Sequence, residues 1–145
     1  MLIVAVGAAL AFGVYRAFAD GRFAGTHRVA GVEPAAETAA AVPTSVLAGA
    51  DLDHELGERA TLLQFSSAFC APCRTTRRVL ADVADAVPGV VHVEVDAEHH
   101  LELVRRLGVL RTPTTLILDA HGSEIARAAG APRKEQVLSS LASAL

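Results

Sequence analysis

The chain has 145 residues, enough for one domain with its own core and a short leader or anchor besides. It is 52% hydrophobic but only 4% aromatic, with no Trp, so its core must be built from Val, Leu, Ile and Ala. A net charge of −3 argues against nucleic acid as a partner, and two cysteines in all argue against a disulfide-stapled scaffold.

Residues 2–15 carry no charge, and Arg16-Ala17-Phe18 closes the run. A bilayer core takes about 20 apolar residues, with about 17 as the short limit. Residues 1–19 are therefore expected to form an N-terminal hydrophobic anchor helix, with Arg16 reaching outward to the headgroups. Arg16, Arg22 and Arg28 follow the run and nothing basic precedes it, which would hold the rest of the chain in the cytoplasm. The expectation is a single-pass protein of the cell membrane. A cleaved signal peptide competes, since Ala17-Phe18-Ala19 has the A-x-A form; it lacks a basic n-region, and it would put the domain outside. A buried helix of a soluble protein fits worst, because a long polar stretch follows.

Residues 20–43 are rich in Gly, Ala, Thr, Glu and Pro and hold no period, the pattern of a flexible linker. A folded domain is expected over 44–145. A short edge strand is expected near Val42–Val46, then a short helix over Asp51–Gly57 capped by its glycine. Thr61–Ser66 is the central strand. The main helix, Cys70–Val87, would bury Val79, Leu80, Val83, Ala84 and Val87 before Pro88-Gly89 ends it. Val90–Asp96 alternates as a second strand. His99–Leu107 forms a short helix with Leu101, Val104 and Leu107 inward. Thr114–Leu118 and Ser123–Ala128 are two strands joined by the turn Asp119–Gly122. The closing helix turns Val137, Leu138, Leu141 and Leu145 inward. A βαβ unit, a hairpin and a last helix make an α/β fold with a mixed sheet flanked by helices.

The chemistry sits where the central strand gives way to the main helix. Cys70 and Cys73, three apart at a helix start, put two sulfurs on one side of the first turn. Thiol–disulfide exchange needs a thiolate, an accessible sulfur and a second thiol to resolve the mixed disulfide. Unpaired N–H groups at the helix start favour a negative sulfur at Cys70, and Arg74, Arg77 and Arg78 add positive charge. Cys70 is thus the expected nucleophile and Cys73 the resolver. Pro72 stiffens the first turn without losing a helical hydrogen bond.

Phe69-Cys70-Ala71-Pro72-Cys73-Arg74 after a buried strand, Val93-Glu94-Val95-Asp96 on the next, Arg111-Thr112-Pro113-Thr114 before the third, and Gly130 together resemble the thioredoxin family. The resemblance spans residues 44–145. It implies a thioredoxin fold in which Pro113 is cis and lies against the cysteine loop, with the backbone of Thr112 pairing with an extended substrate. Phe69 and Ala71 stand in the places of the family's usual Trp and Gly, and Ala71-Pro72 resembles the reducing branch. Gln64 stands where thioredoxins carry a buried Asp that helps the resolving thiol lose its proton. His92 stands where they carry a Lys facing it; since Gln64 cannot take a proton, resolution would rely on water, on His92 or on the substrate thiolate.

Blander readings compete with each of these. The cysteines would serve as a structural bridge, or, with His99 and His100 or with His54, as half a zinc site; no second close ligand pair completes a tetrahedron, so no metal is expected. Gln64 would be a satisfied buried amide, His92 a structural strand histidine, and Phe69 a shield for the neighbouring sulfur. The expectation is a monomeric thiol–disulfide oxidoreductase, reducing in direction, with no cofactor. It would take protein disulfides as substrates and electrons from an unidentified thiol donor. An extracytoplasmic reductase for exported proteins or cytochrome c assembly, and a non-catalytic peptide-binding module, are the alternatives.

Overall fold

The computed structural model describes residues 2–19, 21–25, 45–48 and 55–144. Its elements, in chain order, are α1 (Leu2–Ala19), β1 (Phe23–Gly25), β2 (Ala60–Ser66), α2 (Ala71–Ala86) and β3 (Val90–Asp96). Then come α3 (Leu101–Arg106), β4 (Thr114–Asp119), β5 (Glu124–Ala129) and α4 (Lys134–Ala144). The strands form one sheet in the order β1-β5-β4-β2-β3. β2 pairs parallel with β3 and antiparallel with β4, so the sheet is mixed, as expected.

All seven residues of β2 are buried, the apolar ones in the two cores and the polar Thr61, Gln64 and Ser66 among them. Alternation along it serves two cores. Leu63 and Phe65 pack with Val93, Val95, Leu103, Leu107 and Leu116 on one face. Leu62 packs with Leu80, Val83, Ile117, Val137 and Leu141 on the other, against α2 and α4. Each such side chain contributes about 1.5–3 kcal/mol by burial. Gln64 shares the face of Leu62, and this parity sends its amide toward α2.

Several expectations need correction. In α3 the buried leucine is Leu103, while Leu101 stands 52% exposed. The helix begins only at Leu101, and Leu103 with Leu107 forms its i, i+4 inward pair. The expected helix over Asp51–Gly57 is not helical in its described part, residues 55–57; residues 51–54 lie outside the described residues. Instead of capping a helix, the Gly57 N–H donates to Thr61 Oγ1 at 2.9 Å. Of the expected edge strand at Val42–Val46, Ser45 and Val46 enter a turn closed by Ala48 N–H on Ser45 O, and residues 42–44 lie outside the described residues.

The stretch expected as linker holds a strand. β1 adds antiparallel to β5 with Phe23 opposite Ala128 and Gly25 opposite Ala126. The Gly21 N–H donates to Ala129 O at 2.9 Å, and Phe23 packs against the α2-side core. Gly21 has φ +76, and a Cβ there would meet Ala131 O at 2.2 Å, so only glycine fits this approach.

α1 forms as expected, and Val4, Leu10 and Phe12 are exposed on it. Among the described residues, however, no helix is long and apolar enough to cross a membrane. Its 18 residues would extend roughly 27 Å at about 1.5 Å per residue, short of the roughly 30 Å of a bilayer core, and Arg16 occupies the last turn.

Candidate active site

The end of β2 delivers the chain to the N-terminus of α2, and Cys70 is the N-cap of that helix. Its extended backbone (φ −94, ψ 96) turns the sulfur back over the first turn, where it accepts the Cys73 N–H at 3.1 Å. This is the geometry that favours a thiolate once the bond is reduced. Pro72 lies in the first turn, as expected. Cys70 and Cys73 are joined as a disulfide with their Cα atoms 5.2 Å apart.

The two sulfurs are not equivalent. α2 buries Cys73, Thr76, Leu80 and Val83, spaced at three, four and three along one face, so Cys73 rides the helix's apolar stripe and is 2% exposed. Cys70, at the cap, stays partly open to solvent. The accessible sulfur is that of Cys70 and the enclosed one that of Cys73.

Around them, Ala71 and Arg74 are exposed, and Arg74 lines a cleft of about 420 Å³ that reaches both cysteines along with Ser66, Arg77 and Glu94. Phe69 is 100% exposed and so does not shield the sulfur. The Thr112–Pro113 bond is cis, Pro113 is buried, and the Pro113 carbonyl accepts the Gly130 N–H at 2.8 Å. Ser67 in the cysteine loop and Thr112 beside the proline hydrogen-bond through their hydroxyls at 2.9 Å.

Gln64 is fully buried and fully engaged. Its Nε2 donates to Cys73 O at 3.0 Å and to Ser66 Oγ at 2.8 Å, while its Oε1 lies 3.1 Å from His92 Nε2. With both amide hydrogens committed, Oε1 is the acceptor, and His92 carries its proton on Nε2. Burial lowers the His92 pKa, the Glu94 charge opposes that shift and the Arg77 charge adds to it, so the ring is neutral at pH 7. Gln64 is thus a satisfied amide that holds the first turn of α2 by its backbone.

Two acidic groups flank the cleft. Burial pushes Glu94 up, but hydrogen bonds from Arg77 and Ser66 and the Arg77 charge outweigh it, leaving the carboxyl below its ordinary value. Arg77 Nη2 donates to Glu94 Oε1 at 2.7 Å, which in turn raises the Arg77 pKa. Asp96 is lowered too, chiefly by the Glu98 N–H and then by His99.

His99 Nδ1 pairs with Asp96 at 2.9 Å and His100 Nδ1 meets the Asp96 carbonyl at 3.0 Å; His54 lies outside the described residues. Among the described residues no group of three or more His, Cys, Asp or Glu could hold a metal ion. Ser66, Ser67 and Glu94 are site residues the sequence did not single out. Glu94 was within reach: it shares the period-two face of His92 and stands opposite Gln64 in the β2–β3 register.

The comparisons with known proteins agree with this geometry. The family model described as Thioredoxin matches residues 43–143. Thioredoxin from Alicyclobacillus acidocaldarius subsp. acidocaldarius is 32% identical over 90 residues, 61% of this chain and 85% of that protein. Thioredoxin H-type 1 of Nicotiana tabacum is 28% identical over 54% of this chain and 61% of its own length. Thioredoxin domain-containing protein 2 of Homo sapiens is 38% identical over 60 residues, which are 41% of this chain and 11% of that protein. Among solved structures, Fasciola hepatica thioredoxin superposes with a TM-score of 0.54 at 22% identity, over 61% of this chain and 84% of its own. With its cysteine pair at the cap of α2, its cis Pro113 and a family match over most of its length, the chain belongs to the thioredoxin family.

Proposed function

We propose that the protein is a thiol–disulfide oxidoreductase acting as a monomeric reductase of protein disulfides. The observation that carries this is the asymmetric pair: a partly open Cys70 under a helix N–H, bonded to a buried Cys73. The Cys70 thiolate attacks a substrate disulfide, and Cys73 then attacks Cys70 to release the substrate thiol. The resemblance of Ala71-Pro72 to the reducing branch supports the direction. An external thiol donor would return the pair to the dithiol.

Reduction of an insulin-type disulfide by the purified chain with dithiothreitol tests the reading. Cys70→Ser should abolish turnover, and Cys73→Ser should accumulate mixed disulfides through Cys70. Undiminished insulin reduction by Cys70→Ser would sink the mechanism.

Localisation belongs to the same proposal. The basic residues Arg16, Arg22 and Arg28 after an exposed apolar α1 support a protein that associates with the anionic cytoplasmic face of the membrane. A reporter active only in the cytoplasm, fused after Leu145, should be active in cells; an inactive fusion would place the domain outside.

A further inference from the structure

The resolving step needs a proton acceptor. Cys73 enters it as a thiol that ordinarily titrates near 8.5, and at 2% exposure its charged form is disfavoured further. The polar groups nearest to it in the fold cannot all serve. Gln64 has no titratable atom. His92 gives its Nε2 proton to Gln64, and burial disfavours the charged ring that a second proton on Nδ1 would make. Asp96 lines the cleft too, but its carboxylate is engaged by the Glu98 N–H and His99 of the loop that follows β3, not by the groups that contact Cys73.

Glu94 is placed differently. It lines the same cleft as Cys73, two residues along β3 from His92 and opposite Gln64 in register. Its carboxylate accepts from Arg77 and from the Ser66 hydroxyl. That hydroxyl is free to donate because its oxygen accepts Gln64 Nε2 at 2.8 Å, and the other hydrogen of the same amide goes to Cys73 O. An unbroken chain thus runs from the Cys73 backbone through Gln64 and Ser66 to one carboxylate on the cleft wall. The groups facing that carboxylate are Arg77 and, across the cleft, Arg74 from α2, Ser66 from β2, and His92 and Asp96 on its own strand.

We propose that Glu94 is the proton acceptor of the resolving step, taking the Cys73 proton by way of solvent in the cleft and held in place by Ser66 and Arg77. The Cys73 S–H bond breaks and its proton goes to the Glu94 carboxylate. The Cys73 thiolate forms the Cys70–Cys73 bond as the Cys70–substrate S–S bond breaks. The departing substrate thiolate then takes the proton back from Glu94. The substrate sulfur is reduced, the cysteine pair is oxidised, and Glu94 ends as it began. This rests on the exchange chemistry proposed above and not on its direction.

The full chain, reduced and mixed with 5,5′-dithiobis(2-nitrobenzoate), separates the steps. The first thionitrobenzoate released reports attack by Cys70, and the second reports resolution by Cys73. Glu94→Gln should leave the first rate within about threefold of wild type. It should slow the second by about tenfold or more at pH 7, toward the 10²–10⁴ typical of acid–base groups, and remove the acid limb of its pH profile. Glu94→Asp, which keeps a carboxylate, should recover that limb. Arg77→Gln should move it to higher pH, because Arg77 holds the carboxyl low. A second rate that Glu94→Gln leaves within twofold of wild type with the same profile overturns the proposal. So does an acid limb that Arg77→Gln leaves in place. Failure of the first release in the wild-type protein would instead defeat the exchange reading itself.

Discussion

The hydroxyls of Ser67 and Thr112, 45 residues apart in sequence, meet at 2.9 Å and tie the loop that carries Cys70 to the loop that carries cis Pro113. The bond is half-buried and neutral, so its loss should cost about 0.5–1.5 kcal/mol. Ser67→Ala and Thr112→Ala should lower urea-unfolding stability by that amount. Both should raise KM for a protein disulfide several-fold while Cys70 keeps its reactivity toward a small disulfide. An unchanged KM in both variants would show that the tie does not shape the substrate groove.

Phe69 precedes Cys70 yet touches none of the core, being fully exposed. Phe69→Ser should therefore leave unfolding free energy within about 0.5 kcal/mol of wild type. A shield would behave otherwise, since its removal would raise Cys70 alkylation by iodoacetamide. We expect the alkylation rate to hold and KM for a protein substrate to rise, as apolar contact is lost at the rim of the site.

His92 makes stability fall with acid in a defined window. Its folded pKa lies below the unfolded value of about 6.5 because burial disfavours the charged ring. Below that pH the unfolded chain gains a proton that the folded one resists, so stability is lost as pH drops. Glu94 and Asp96, held below their ordinary values, lose their contribution only further down, below about pH 4.5. His92→Gln should flatten Tm between about pH 6.5 and 5, and leave the steeper acid fall in place. An unaltered slope in that window would remove His92 as its cause.

The added edge strand should contribute measurably to the fold. Phe23 is partly buried against the α2-side core, and Phe23→Ala should cost about 1–2 kcal/mol in urea unfolding. Phe12→Ala, on the exposed surface of α1, should cost less than about 0.5 kcal/mol. Equal effects from the two would mean that β1 does not hold in solution.

The longer elements from Ala60 onward were readable because their periods show within one segment. Seven buried residues of β2, the alternation of β3 and the apolar stripe of α2 each repeat within one segment. Cys70 and Cys73 were readable for the same reason, since a cap and a first turn are set by adjacent residues. Leu101 misled because a helix of six residues carries too few turns to mark its inward face. β1 was hidden because three residues have no period, and only the partner edge at Ala126–Ala128 makes them a strand.

The amino-acid order alone determined which sulfur caps the helix and which is buried, because local backbone geometry and helical spacing fix both. The tertiary structure decided what surrounds them. Only the parallel register of β2 with β3 sets Glu94 opposite Gln64, and only the approach of α2 to that pair supplies Arg77. Hydrogen-bond partners drawn from three elements have no signature along the chain; they exist once packing has brought those elements within about 3 Å of one another.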